Sequence, residues 1–148
     1  MSNPQDNVLP TRDASVVVAR DTDGTVAVLS SSFPDHGGDF LFLPGGRQED
    51  GETAEQCARR ELQEEAGITA SSWNSLGAFA ITLGSTARVH LFEATGLTHG
   101  PQQLTPTEVD FKLDWWPLEE AIEAGAEGRF LLPAGPLALM LAHRQDTR

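Results

Sequence analysis

The stretch CARRELQEEAG, from Cys57 to Gly67, carries the reading of this chain. If it is helical, Glu61 and Glu65 are i,i+4 neighbours and Glu64 lies beside both, so three carboxylates repel one another on one patch. Its ends are well marked. Thr53-Ala54-Glu55-Gln56 matches a capping box, with Thr53 at the N-cap and Gln56 at N3, and Gly67 suits the left-handed position after the last turn. At about 100° per residue, Ala54, Ala58, Leu62 and Ala66 define a buried stripe, while Gln56, Arg59 and Gln63 point away from it. Glu61 and Glu65 then fall in the buried half, and Glu64 at its edge beside Cys57. A solvated charge run would lie opposite the stripe instead.

Partly buried like charges either raise one another's pKa or recruit compensation. Arg60 answers one carboxylate at i+4, Glu64, but cannot neutralise three. The C-terminal half of a helix also disfavours negative charge, by a few tenths of a kcal/mol per group. Two arrangements relieve the patch: an extended salt-bridge network, or a hard divalent cation. Mg²⁺ accepts a few carboxylates, keeps several waters and bridges to substrate phosphates, which suits a carboxylate patch beside a Gly-rich turn.

On the N-terminal side of the helix, Ala14 to Arg20 and Thr25 to Ser30 are β-rich runs flanking Asp21-Thr22-Asp23-Gly24, and they read as a hairpin, the first pair of strands. Ser31 to Asp39 reads as loop, and Phe40 to Leu43 as a short apolar strand stopped by Pro44-Gly45-Gly46. Later strands are expected over Trp73 to Thr82, Ala87 to Thr95 and Phe111 to Trp116, with Gly100 to Glu108 as loop. Pro117 suits the first turn of a helix through LEEAIEA, and Pro136 to Arg144 reads as a closing helix. Strands dominate with helices inserted between them, which predicts an α+β fold, a mixed sheet flanked by helices.

With 148 residues the chain fits one domain spanning 1–148, in which residues 1–12 are expected to be a flexible N-terminal segment. A content of 39% apolar and 22% charged residues is ordinary for a soluble protein, and no apolar run approaches the roughly 18 residues of a membrane span. The N-terminal MSNPQDNVLPTRD has neither a basic nor an apolar leader region, so the expected location is cytoplasmic. A net charge of −12 argues against nucleic-acid polymers and anionic membranes as partners, since both are gripped through Lys and Arg. A small phosphate ligand needs only local cations. The lone Cys57, inside an apolar stripe, reads as a small core residue. His36, His90, His99 and His143 lack zinc-ligand spacing. A homodimer is compatible with the sequence, which carries no signal for oligomeric state.

From Gly46 the chain reads Gly46, five residues, Glu52, seven residues, Arg60-Glu61-Leu62, one residue, Glu64-Glu65, one residue, Gly67-Ile68. This resembles the signature of the Nudix hydrolases at each of its nine specified positions over 23 residues. A looser likeness continues through HLFEATGL and DWWPLEEA. The resemblance implies the family's α/β/α sandwich and a Mg²⁺-dependent hydrolase, with Mn²⁺ as a substitute. It implies Glu61, Glu64 and Glu65 as metal ligands, with the Gly45 carbonyl as a further oxygen, and Arg60, aided by Glu52, as the residue orienting those glutamates. Gly45 and Gly46 would let the backbone approach metal and pyrophosphate. Family members hydrolyse a nucleoside diphosphate linked to another moiety by attack of water on phosphorus, so no covalent nucleophile is implied. The general base is either a glutamate of the box, such as Glu64, or, as in relatives resembling ADP-ribose pyrophosphatases, a later one, here Glu108. Glu49 is a further acidic candidate.

Two substrate classes compete. The box itself resembles nucleoside-triphosphate pyrophosphohydrolases, whereas HLFEATGL, the Glu108 loop and WWPLEEA resemble ADP-ribose or nucleotide-sugar pyrophosphatases, which is the favoured reading. Gly45, where many of the latter have Ala, and the absence of a proline at Leu83-Gly84-Ser85 depart from that pattern. Candidate phosphate-facing cations are Arg20, Arg47 and Arg88, and candidate base-stacking rings are Phe33, Phe79, Trp115 and Trp116. A catalytically silent nucleotide sensor is the alternative of another class, but sensors usually lose a box glutamate and all are present here. A DNA-binding regulator would need a basic module for which the chain leaves neither room nor charge.

Overall fold

Alternation of side chains along a strand means that a run apolar at every position must be covered on both faces. Two runs have that character, Val17-Val18-Ala19 and Val26-Ala27-Val28-Leu29, and all seven residues are at most 1% exposed. Each becomes the centre of its own sheet in the computed structural model, which describes residues 12–147. Strand β1 (Ala14–Ala19) lies between β4 (Gly45–Arg47) and β6 (Arg88–His99), and β5 (Ile68–Ala80) completes the order β4-β1-β6-β5. The β1–β6 pair is parallel and the other pairs are antiparallel. Strand β2 (Thr25–Phe33) lies between β3 (Gly38–Phe42) and β7 (Lys112–Pro117) in a wholly antiparallel second sheet.

Three helices cover the sheets. Helix α1 (Ala54–Ala66) packs Ala58, Leu62 and Ala66 against Val17, Ala19, Phe92 and Ala94 on one face. Helices α2 (Leu118–Ala126) and α3 (Ala134–Asp146) cover Val18, Val26, Val28 and Leu91 on the other. The architecture is the expected α+β sandwich, except that the strands divide into two sheets, of which only one is mixed.

The expected first hairpin is not a strand pair. Its turn forms, with the Asp21 N–H donating to the Thr25 carbonyl at 2.9 Å and Gly24 at φ 84°, but β1 and β2 part after a single bridge between Arg20 and Val26. A two-stranded hairpin would leave one flank of each apolar run open, and taking separate central places closes both. The stretch Ser31 to Asp39 is largely not loop. Strand β2 runs on to Phe33, a 3-10 turn spans Pro34–His36, and β3 begins at Gly38, with Ser31, Ser32 and Phe33 paired to Phe40, Asp39 and Gly38. Serines there sit on partly exposed positions of a strand that the Phe33–Phe42 edge-to-face contact, at 5.6 Å between centroids, holds in register. Strand β5 also starts earlier than expected, directly after Gly67, because Ile68 pairs with His99 at the far end of a long β6. The remaining helices and β7 fall within a few residues of expectation. The flexible segment expected at residues 1–12 lies, apart from Arg12, outside the described residues. Among the described residues, no helix is long and apolar enough to cross a membrane.

Candidate active site

Helix α1 forms for the reasons its sequence states. The Thr53 hydroxyl accepts from the Gln56 N–H at 3.1 Å, the Gln56 carboxamide accepts from the Thr53 N–H at 2.9 Å, and Gly67 closes the helix at φ 70°. Ser15, fully buried on β1, donates its hydroxyl to the Ala54 carbonyl at 2.8 Å and ties the first turn to the sheet. With the Ala58–Leu62–Ala66 stripe seated, Glu61 and Glu65 are carried inside, 8% and 4% exposed.

Arg60 compensates part of this charge. Its Nε and Nη2 donate to the two oxygens of Glu52 at 2.7 and 3.0 Å, and its Nη1 donates to Glu61 at 2.8 Å and Glu64 at 3.3 Å. A further bond from Nη2 reaches the Arg47 carbonyl at 3.1 Å. The bidentate guanidinium pulls the Glu52 carboxyl down to about 2, and Glu52 in return raises Arg60. Glu64 stays at the half-buried rim.

Glu65 has no such cation. The Gly45 N–H donates to its Oε1 at 2.8 Å, yet burial pushes its carboxyl up to about 9, with the charges of Glu61 and Glu108 adding to the rise. Glu61 is pushed up to about 7, again by burial, against the pull of Arg60. Gly46 is required here: a Cβ on it would lie 2.6 Å from the Glu61 Cδ, so β4 approaches the helix carboxylate as closely as it does only without a side chain.

The third carboxylate arrives from the loop 100–111. Oxygens of Glu61, Glu65 and Glu108 all lie within 4.8 Å of one another. The loop is clamped to reach them. Its Gly100 N–H donates to the Gly67 carbonyl, its Gln103 N–H to the Glu64 carbonyl and its Gln102 carboxamide to the Glu65 carbonyl, each at 2.7 Å. At the other end Phe111 stacks edge-on against Phe42 at 4.8 Å. Between them Glu108 is held by its own turn, its Oε1 accepting from the Thr105 N–H at 3.1 Å and its N–H donating to the Thr105 carbonyl at 2.9 Å. Of these carboxylates the two desolvated ones, Glu61 and Glu65, offer hard oxygens that fit a divalent cation, and Glu108 lies close enough to reach either the ion or a water beside it.

Of the residues singled out by sequence, Gly45, Gly46, Glu52, Arg60, Glu61, Glu64, Glu65 and Glu108 are thus brought together. Arg20 is not. Its guanidinium makes a two-point bond to Asp146 at 2.6 and 2.8 Å, with Glu93 at 3.7 Å, and fastens the end of α3 to the sheet. The expectation of Arg20 as a substrate contact is corrected accordingly: the end of β1 that carries it faces the C-terminus of α3, where two carboxylates claim its charge. Arg47 exposes its side chain and contributes its carbonyl to Arg60. Glu49 lies 3.8 Å from Arg60 on the exposed rim. The rings considered for base stacking are mostly engaged: Phe33 with Phe42, Trp115 with His99 and Trp116 with Arg129. An open groove of about 250 Å³ along α1, lined by Arg59, Arg60, Gln63, Thr69, Ala70 and Trp73, shares only Arg60 with the carboxylate site. Sequence reasoning missed Gln102, Gln103 and Ser15. The signal for the first two was indirect: a helix whose last turn holds no basic residue still has orphan carbonyls that some donor must meet.

Residues 10–133 match the family model described as NUDIX domain. Over 137 residues, 90% of this chain and 66% of the relative, the chain is 28% identical to the ADP-ribose pyrophosphatase of Mycobacterium tuberculosis. It is 46% identical to the 8-oxo-dGTP diphosphatase of Proteus vulgaris, but over only 48 residues, 32% of this chain and 43% of that protein. The chain therefore spans less than two thirds of either curated relative. Among solved structures, an ADP compounds hydrolase superposes with a TM-score of 0.79 at 22% identity, covering 93% of this chain and 75% of that one. A MutT structure from a study of Aliivibrio salmonicida and Vibrio cholerae superposes at 0.67, also at 22% identity, covering 92% and 99%. At that identity both likenesses speak for the fold.

Proposed function

This chain belongs to the Nudix family, and on that premise we propose that it hydrolyses the pyrophosphate bond of a nucleoside diphosphate linked to another moiety, with ADP-ribose or a nucleotide sugar as substrate and Mg²⁺ as cofactor. The observation that carries this reading is Glu108. A loop carboxylate far downstream of the box, docked within 4.8 Å of Glu61 and Glu65, is what a base outside the box requires. The relative named ADP-ribose pyrophosphatase aligns with 90% of the chain, Glu108 loop included in that span, while the 8-oxo-dGTP diphosphatase aligns with 32%.

In this reading Glu61 and Glu65, with Glu64 at the rim and the Gly45 carbonyl, hold the ion, which when bound neutralises charge developing on the phosphates and acidifies water. Glu108 takes the proton from the attacking water. Arg60, itself held by Glu52, keeps Glu61 turned inward, and Gly46, lacking a side chain, leaves the room that the Glu61 carboxylate takes beside β4. Of the three arginines expected to face phosphate, Arg47 and Arg88 are exposed and form no ion pair among the described residues, and they are the candidates for the outer phosphate. The small nucleotide is the partner, and a cytoplasmic location suits it.

One observation favours a second reading, a nucleoside-triphosphate pyrophosphohydrolase: the 46% identity is confined to 48 residues. Hydrolysis of ADP-ribose, nucleotide sugars and deoxynucleoside triphosphates, measured side by side with Mg²⁺, separates the two. Turnover of the triphosphates alone would overturn the first, and no turnover of any would favour a silent nucleotide sensor.

A further inference from the structure

The last four carbonyls of any helix lack intrahelical donors. In α1 these carbonyls belong to the turn that carries Glu64 and Glu65, and no Lys, Arg or His of that turn meets them. The loop 100–111 supplies the donors instead. The cap itself meets Gln63 through the Gly67 N–H. From the loop the Gln103 N–H takes the Glu64 carbonyl, the Gly100 N–H takes the Gly67 carbonyl just past the helix, and between them the one side-chain donor, the Gln102 Nε2, takes the carbonyl of Glu65 itself at 2.7 Å. Gln102 is half-buried while its neighbours Pro101 and Gln103 are exposed, so its side chain turns inward against the helix end. Six residues later the same loop presents Glu108 to the Glu65 carboxylate.

One residue, Glu65, is therefore gripped from both sides by one loop: its carbonyl by Gln102 and its carboxylate face by Glu108. We propose that Gln102 is a positioning residue. Its carboxamide docks the loop on the end of α1 and sets the distance between Glu108 and the Glu61–Glu65 pair before substrate arrives. The proposal rests on the reading of Glu108 as the base. It also implies that the loop moves, when it moves, about a fixed point at Gln102, with the segment 104–110 as the part free to adjust.

Leucine at this position keeps the bulk and glutamate keeps the shape, and neither donates a hydrogen bond. Gln102→Leu and Gln102→Glu are each expected to lower kcat by about 10–100-fold on the fastest substrate of the hydrolysis screen, with KM within about 2-fold, because a displaced base costs rate rather than binding. Combined with Glu108→Gln, neither should lower kcat further, since the distance being set no longer matters. By hydrogen exchange, the Gln103 and Glu108 amides should lose protection in both variants while those of β1 and β6 keep theirs. Wild-type kcat in both variants, or full additivity with Glu108→Gln, overturns the positioning role. Unchanged exchange at Gln103 and Glu108 overturns the docking. Wild-type kcat in Glu108→Gln alone sinks the reading of Glu108 as base, and the exchange result then decides by itself whether Gln102 holds the loop.

Discussion

Glu52 and Glu61, on opposite sides of the Arg60 guanidinium, begin with the same chemistry and end in opposite states. Glu52 meets both prongs of the guanidinium and is pulled down to about 2. Glu61 shares what remains of the same cation and, being buried, is pushed up to about 7, and Glu65, which has no cation, to about 9. The side chains of Glu52 and Glu61 are 13% and 11% exposed, so exposure by itself does not separate them. The central arginine serves the scaffold and leaves the inner carboxylates short of positive charge, an arrangement that a divalent cation completes.

Disarming the inner cluster should have the largest effect. Glu108→Gln is expected to lower kcat by about 10²–10⁴-fold with KM little changed, measured on the fastest substrate of the screen. Wild-type turnover would return the base to the box. Glu65→Gln should lower kcat by about 10²-fold, while the metal-free fold keeps or raises its melting temperature, because glutamine is uncharged at every pH, as burial already favours at that position. A drop in melting temperature would instead make Glu65 part of the scaffold. The outer pair should respond the other way round: Glu52→Gln removes a charged two-point bond and is expected to cost about 2 kcal/mol of stability by denaturant unfolding.

A pH series tests the same contrast through a smaller effect. Glu61 and Glu65 have folded pKa values above the ordinary 4.5, so their protonated forms favour the fold. That stability is full below about 4.5 and is lost as pH rises through about 7 and 9. Glu52 has a folded value of about 2, so its contribution is present above 4.5 and lost as pH falls through about 2. The metal-free protein should therefore lose melting temperature from about pH 4.5 to about pH 9, most steeply below about 7 where both groups contribute, and Mg²⁺ or Mn²⁺ should restore it increasingly over the same range, because the ion binds the deprotonated carboxylates of the folded state. Equal melting curves with and without the ion would count against the metal site.

Most of the inner cluster was legible because it is local. Helical spacing alone placed Glu61 and Glu65 on the stripe of Ala58 and Leu62, and the capping pair Thr53–Gln56 and Gly67 bounded the element that holds them. Arg60 at i+4 from Glu64 was likewise readable, though not its stronger hold on Glu52. Arg20 misled for the complementary reason: one free-looking cation in an acidic chain says nothing of which of many carboxylates the fold will bring to it, and the fold brought Asp146 and Glu93.

Features whose cause lies within a turn or two of chain could be read from the residues without the fold: the helix, its caps, its crowded carboxylates, and the pattern that marks the family. Everything that depends on the path between distant segments had to wait for the folded chain. The runs Val17-Val18-Ala19 and Val26-Ala27-Val28-Leu29 needed cover on both faces, but composition could not say that they would find it in two separate sheets rather than in one hairpin. In the same way, the end of α1 needed donors for its carbonyls wherever it lay, and only the course of the loop 100–111 made Gln102 the donor and set Glu108 opposite Glu65. Hydrogen-bonding demands are written locally, while the groups that meet them are chosen by which segments the buried core brings into contact.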